Sequence, residues 1–157
     1  MKIGEILTKS KNRLASYGIN YRQPFDTYYD LLLPDDELRP VQIGSILVLT
    51  DNRPRSLIAI AYALRMAKGL EANLMAITTK VHQELIKGEA NQYDINLAFM
   101  KSFNKPPSLE YVLNVIQTHK AGLVILHNLY PLKEEIVESS PVPVLIIKIN
   151  QFFKPIA

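Results

Sequence analysis

Residues 46–78 read ILVLTDNRPRSLIAIAYALRMAKGLEANLMAIT, and the fold is decided there. Ile46-Leu47-Val48-Leu49 is a short, unbroken apolar run, as expected for a strand covered on both faces. Thr50-Asp51-Asn52-Arg53-Pro54 makes a turn, and Pro54 is tolerated only in the first turn of a helix. Leu57, Ile60, Ala61, Leu64 and Ala67 then fall on one helical face, with Gly69 as the expected stop. Leu74-Met75-Ala76-Ile77-Thr78 reads as the next strand.

The same alternation continues towards the C-terminus. Residues 81–87 read as a short helix stopped by Gly88. Residues 95–100 alternate more and suit a strand nearer an edge. Pro106-Pro107-Ser108 opens a helix that buries Leu109, Val112, Leu113 and Ile116. Leu123–Leu126 is a very apolar strand, Pro131 starts a helix running to about Glu138, and Val142–Ile147 is the last strand, with Pro143 at its entry. Strands alternating with helices at this spacing form βαβ units with right-handed crossovers. The expected fold is α/β: a doubly wound, five-stranded parallel sheet with helices on both faces. Ligands in such sheets bind beyond the carboxyl ends of the strands, which here are Thr50-Asp51-Asn52, Thr78-Thr79 and His127-Asn128.

Residues 1–40 have a different character. Their six basic and six acidic residues are separated, Lys2 to Arg22 preceding the group Asp26 to Glu37. Ile3, Ile6, Leu7 and Leu14 suit an amphipathic helix over 2–16 that ends near Gly18. Tyr17, Tyr21, Phe25, Tyr28 and Tyr29 follow closely, and Pro34 and Pro40 punctuate the end. This is an N-terminal extension, with 41–157 as the α/β domain. The extension is expected to pack on its own domain, on a second subunit or on another protein.

Composition excludes several classes of function. With no cysteine among 157 residues, a disulfide scaffold, an iron–sulfur cluster, a thiolate zinc site and a Cys nucleophile are all out. A net charge of +3 is too small to argue for nucleic acid, and 12 basic against nine acidic residues beyond residue 40 leave no basic stripe. The sequence shows no secretory apolar segment and no membrane span, so the expected address is the cytoplasm. His82, His119 and His127 have no metal-ligand spacing, so no metal is expected.

The stretch 46–78 resembles the opening of the universal stress protein family, in which a strand of the type I-L-V-x-x-D leads through a short turn into an Ala-rich helix. Asp51 stands at that family's strand-end Asp and Ser56 at its helix-start Ser. AGLVIL over 121–126 and EEIVESSPVPVLIIK over 134–148 resemble its final β-α-β. The resemblance covers about residues 44–149. ATP-binding members carry G-x2-G-x9-G-[ST] after the fourth strand. Here that segment is His127-Asn128-Leu129-Tyr130-Pro131-Leu132, which is shorter and has no glycine. The six glycines of the chain lie at least 14 residues apart, so neither a dinucleotide fingerprint nor a Walker loop can be written from them. ATP held in the family's manner is therefore not expected, and no cofactor is assigned.

Asp51 is the leading ligand-binding candidate, since a carboxylate at a strand end can accept from a base or a ribose; its alternative role is to cap the following helix. Thr50, Asn52, Thr78, Thr79 and Asn128 share the same edge. Of these, Thr78 and Thr79 offer hydroxyl or main-chain contacts, or simply end a strand. His127 either binds an anion or is structural. Neither a nucleophile elbow nor a catalytic constellation is present. The resemblance implies a non-catalytic stress-response or regulatory protein, homodimeric through Val142–Ile149, with the apolar tail 151–156 adding to the contact. Two alternatives stay open at this point. One is a cytosolic regulatory domain serving a membrane transporter or kinase, with the N-terminal arm docking on that partner. The other is a nucleotide-binding protein using Asp51 and a rebuilt loop.

Overall fold

Every side chain of Ile46–Leu49 is fully buried, although neighbours in a strand point to opposite faces. Ile46 and Val48 join Leu74, Ala76, Leu123, Ile125, Leu145 and Ile147 on one face of the sheet. Leu47 and Leu49 join Met75, Ile77, Val124, Leu126, Val144 and Ile146 on the other. Two cores around a central sheet are the reason the run is apolar without interruption.

The computed structural model describes residues 28–32, 43–100, 105 and 107–148. The strands are β1 (Tyr28–Leu32), β2 (Ser45–Leu49), β3 (Asn73–Ile77), β4 (Leu97–Phe99), β5 (Leu123–His127) and β6 (Val144–Lys148). The helices are α1 (Ser56–Leu70), α2 (Lys80–Gln92), α3 (Leu109–Thr118) and α4 (Lys133–Ser139). The sheet order is β1-β6-β5-β2-β3-β4. Strands β2 to β6 are parallel, as the alternation of elements requires. Ile60, Ala63 and Ala67 of α1 and Ile86 and Ala90 of α2 cover one face. Val112, Val115 and Ile116 of α3 and Ile136 of α4 cover the other. The doubly wound α/β sandwich expected from the sequence is the one observed, and the strand 97–99 lies at an edge as its alternation suggested.

The sheet has one strand more than expected. Residues 28–32, assigned above to an extension outside the α/β domain, form β1 and pair antiparallel with the whole of β6, Tyr28 opposite Lys148 and Leu32 opposite Val144. The outer edge of β6, where the resemblance placed a subunit contact through Val142–Ile149, is thus taken by the same chain. The expected helix 2–16, the aromatic residues before Tyr28, the boundary near Pro40 and the tail 151–156 lie outside the described residues.

Two helix ends also differ from expectation. Helix α1 continues through Gly69 to Leu70, and α2 runs through Gly88 to Gln92. What stops the helices is a left-handed residue at Glu71, Asp94 and Lys120, with φ of 54°, 55° and 54°. In each case the next amide reaches back five residues: Ala72 to Ala67 O, Ile95 to Ala90 O and Ala121 to Ile116 O, at 2.9, 2.8 and 3.1 Å. These are Schellman ends, whose buried apolar residue after the turn (Ala72, Ile95, Ala121) locks the chain reversal. Helix α3 starts as read, with Ser108 Oγ accepting from Tyr111 N–H at 3.2 Å.

Candidate functional site

From β2 the chain crosses to β3 on one side, and β5 packs on the other, so the order of strands switches between β2 and β5. That switch opens a crevice at the carboxyl ends of both strands. The register pairs Ile46 with Leu123, Leu47 with Val124 and Val48 with Ile125, and its continuation brings Thr50 level with His127. Asp51 and His127, 76 residues apart in sequence, meet there at 3.1 Å between Oδ2 and Nε2.

The proton on this histidine is fixed by its other nitrogen. Leu129 N–H donates to His127 Nδ1 at 3.1 Å, so Nδ1 must accept and Nε2 must carry the hydrogen given to Asp51. The ring is wholly buried, with Tyr130 edge-on to it at a centroid distance of 6.2 Å. No lone pair of His127 is left to take a proton from a substrate. The second carboxylate oxygen is engaged as well: Ser56 Oγ–H donates to Asp51 Oδ1 at 2.8 Å and Arg53 N–H at 3.0 Å. Asp51 N–H in turn donates to Ser56 Oγ at 3.0 Å, closing a ring between the strand end and the start of α1. Burial would push the Asp51 carboxyl up, but hydrogen bonds from His127, Ser56 and the Arg53 amide outweigh it and hold the group down at about 2. Asp51 is therefore a buried carboxylate with three donors from its own chain.

Asp51 does not cap α1. The helix begins five residues later with Arg55 at its cap position, and the carboxylate instead closes the turn at Arg53. His82, which carried no expectation beyond the metal question, pins this turn from the opposite side: its buried Nε2 bonds to Arg53 O at 3.1 Å. Among the described residues no group of three His, Asp or Glu converges on a metal position.

The segment after β5 is equally occupied. Asn128 N–H donates to Ile147 O, Leu129 N–H to His127 Nδ1, Tyr130 N–H to His127 O and Lys133 N–H to Tyr130 O, all at 3.0–3.1 Å. Pro131 has no amide to offer. A phosphate cradle needs several main-chain amides aimed outwards. The four amides named here are bonded inside the protein instead, so as placed they do not form a cradle that fits a triphosphate.

The other sequence candidates are divided. Thr50 Oγ–H donates to Thr78 Oγ1 at 2.7 Å, and Thr78 Oγ–H to Thr79 O at 3.3 Å, so both tie the ends of β2 and β3 together below the surface. Thr79 Oγ1 is buried without a partner. Asn52 is exposed on the turn, and Asn128 is half-buried. Tyr130, not singled out from the sequence, is buried with its Oη unpartnered, and burial together with the Asp51 charge pushes its phenol far up. Its only signal was its place in the segment that lacks glycine. Ser56 had been noted solely through the resemblance.

No protein-family model matches the sequence, and no curated protein matches it. Solved structures do. A universal stress protein family member from Burkholderia pseudomallei superposes with a TM-score of 0.57 at 14% identity, over 67% of this chain and 96% of that one. A universal stress protein from Archaeoglobus fulgidus gives 0.64 at 15% identity, over 78% of this chain and 50% of that one. A universal stress protein in complex with cAMP gives 0.51 at 16% identity, over 68% and 97%. Sheet order, crossovers and these superpositions together show that the chain has the universal stress protein fold.

Proposed function

We propose that this chain is a divergent, non-catalytic regulatory protein of the universal stress type, in which the crevice that could hold a nucleotide is filled by the protein's own groups. The observation that carries this reading is the consumption of the Asn128, Leu129, Tyr130 and Lys133 amides by acceptors inside the chain. Asp51, the carboxylate best placed to greet a ligand, is likewise saturated by His127, Ser56 and the Arg53 amide. An enzyme would need a free base or an activated nucleophile at this point. His127 has both nitrogens committed, and Ser56 gives its proton to a carboxylate that already holds two other donors.

Function on this reading is exerted through binding a protein partner. The class that suits it best is a stress-response or regulatory partner, a transporter or kinase being the narrower alternative. Homodimerisation through β6 is not part of the reading, because β1 holds that edge. No helix among the described residues is long and apolar enough to cross a membrane.

Calorimetry with ATP, ADP, AMP and cAMP tests the negative half directly; cAMP is included because one structural neighbour is described in complex with it. The full chain is expected to show no submillimolar binding of any of the four. Submillimolar affinity that disappears in Asp51→Ala would overturn the reading and favour a nucleotide site built on a rearranged loop.

A further inference from the structure

Strand β1 stands where the sheet would otherwise end. Each of its five residues pairs with one of β6. Without it, β6 would present an open row of N–H and C=O groups beside Val144, Leu145, Ile146 and Ile147, which are buried in the structure. An apolar, unpaired edge of this kind is a template for another strand.

The strand that fits is β6 of a second copy. Laid antiparallel on itself about Ile146, the segment 144–148 sets Leu145 against Ile147 and Val144 against Lys148. Its single charge then meets valine instead of a second lysine, so the two-fold arrangement has no like-charge clash. β1 already shows that this edge accepts an antiparallel strand over its full length.

The geometry of the tether decides which occupant wins. Leu32 lies beside Val144, at the amino ends of the parallel strands, and β2 starts at Ser45 at that same end. Residues 33–44 must cross from the first to the fourth position of the sheet. Three strand spacings are about 14 Å, whereas twelve residues reach roughly 40 Å. The covalent link is long enough to span the gap, and attachment over so few residues gives an effective concentration of about a millimolar. A second copy at micromolar concentration does not compete. We propose that β1 is a tethered edge cap that keeps this chain monomeric by excluding a second copy from β6, and that its release opens a two-fold strand-to-strand interface. The inference does not depend on the crevice.

The test uses the full chain. Successive residues of a strand direct their amides to opposite sides, so Asp30→Pro with Leu31→Pro necessarily removes one N–H that faces β6. In sedimentation across the micromolar range, the wild type is expected at monomer mass where the double variant reaches twice that mass. Equal masses for the two proteins, or a dimeric wild type, would overturn the proposal. If circular dichroism shows the double variant unfolded, a locked cap decides instead. The chain has no native cysteine, and Tyr28→Cys with Lys148→Cys places two thiols on opposed residues. Warmed to just below unfolding, the reduced form is expected to self-associate and the oxidised form to stay monomeric. Equal association of both forms, or a crosslink between chains in place of one within a chain, would refute the cap.

Discussion

Replacing Asp51 by asparagine changes one atom and tests the whole crevice. Either orientation of the amide sets a donor against a donor: Nδ2 faces the His127 Nε2–H in one and the Arg53 N–H in the other, at positions now 3.1 and 3.0 Å from a carboxylate oxygen. His127 cannot relieve the conflict by changing tautomer, because Nδ1 must accept from Leu129 N–H. The charge is lost too. Asp51 titrates at about 2 in the folded chain against an ordinary 3.8. At 1.36 kcal/mol per unit, that gap is worth about 2 kcal/mol at neutral pH. With about 1 kcal/mol for the unmet donor, the variant should be less stable by about 3 kcal/mol, a fall in Tm of about 6–12 °C at this chain length.

The sign of the pH dependence follows from the direction of the shift. A carboxyl lowered on folding stabilises above its unfolded pKa, and the contribution drains away as pH falls towards the folded value. Roughly half of it should be gone by pH 3, narrowing the gap between wild type and Asp51→Asn by about 1 kcal/mol. Every other carboxylate titrates in both proteins and cancels in the difference. Urea unfolding at pH 7, 5 and 3 measures this. A cost below about 0.5 kcal/mol at pH 7, or a gap that stays constant down to pH 3, would refute the claim that Asp51 is held by internal donors.

Three further substitutions probe features that cost stability as they stand. Glu71 and Lys120 carry side chains at left-handed positions where glycine is at ease, so Glu71→Gly and Lys120→Gly should each add about 0.5–1 kcal/mol by chemical denaturation; a loss would mean that the Schellman ends are set by something other than that strain. Tyr130→Phe removes a buried hydroxyl without a partner and should leave stability unchanged or raise it by about 1 kcal/mol. A marked loss there would show that the hydroxyl has a counterpart, a bound ligand included.

The sheet was legible because its signals are local. Ile46–Leu49, the helix after Pro54 and the strand ending at Ile77 each declare themselves within a few residues, and their order dictates parallel crossovers. β1 was not legible, although Tyr28 and Tyr29 have high β propensity. Its pairing with β6 spans more than a hundred residues, and nothing in YYDLL states which edge it will find. Gly69 and Gly88 misled for a different reason. A glycine permits a stop without imposing one, and the stops were imposed by apolar Ala72, Ile95 and Ala121 seeking the core after the turn. In the crevice, sequence placed Asp51 and His127 each at a strand end. Their contact depends on β2 and β5 being neighbours, which is a property of strand order. His82 and Tyr130 act from buried positions that no local sequence pattern announces.

A doubly wound sheet cannot avoid a crevice where its strand order switches, and the polar groups exposed there must find partners. A ligand is one source of partners, and the protein's own side chains and carbonyls are another. On the reading proposed above, an anion held by the Asn128, Leu129 and Tyr130 amides would have to break the bonds they already make, and a hydroxyl seeking Asp51 would have to displace His127. At about 1 kcal/mol for each neutral bond and about 2 for the charged one, the combined cost is on the order of 5 kcal/mol, or a thousandfold or more in affinity. That is enough to move a micromolar nucleotide site into the millimolar range. Removal of the His127 side chain would free Leu129 N–H and one carboxylate oxygen, yet the Asn128 and Tyr130 amides would still be held by the Ile147 and His127 carbonyls. On that reading the backbone after β5 closes the crevice, and the Asp51–His127 pair completes the closure.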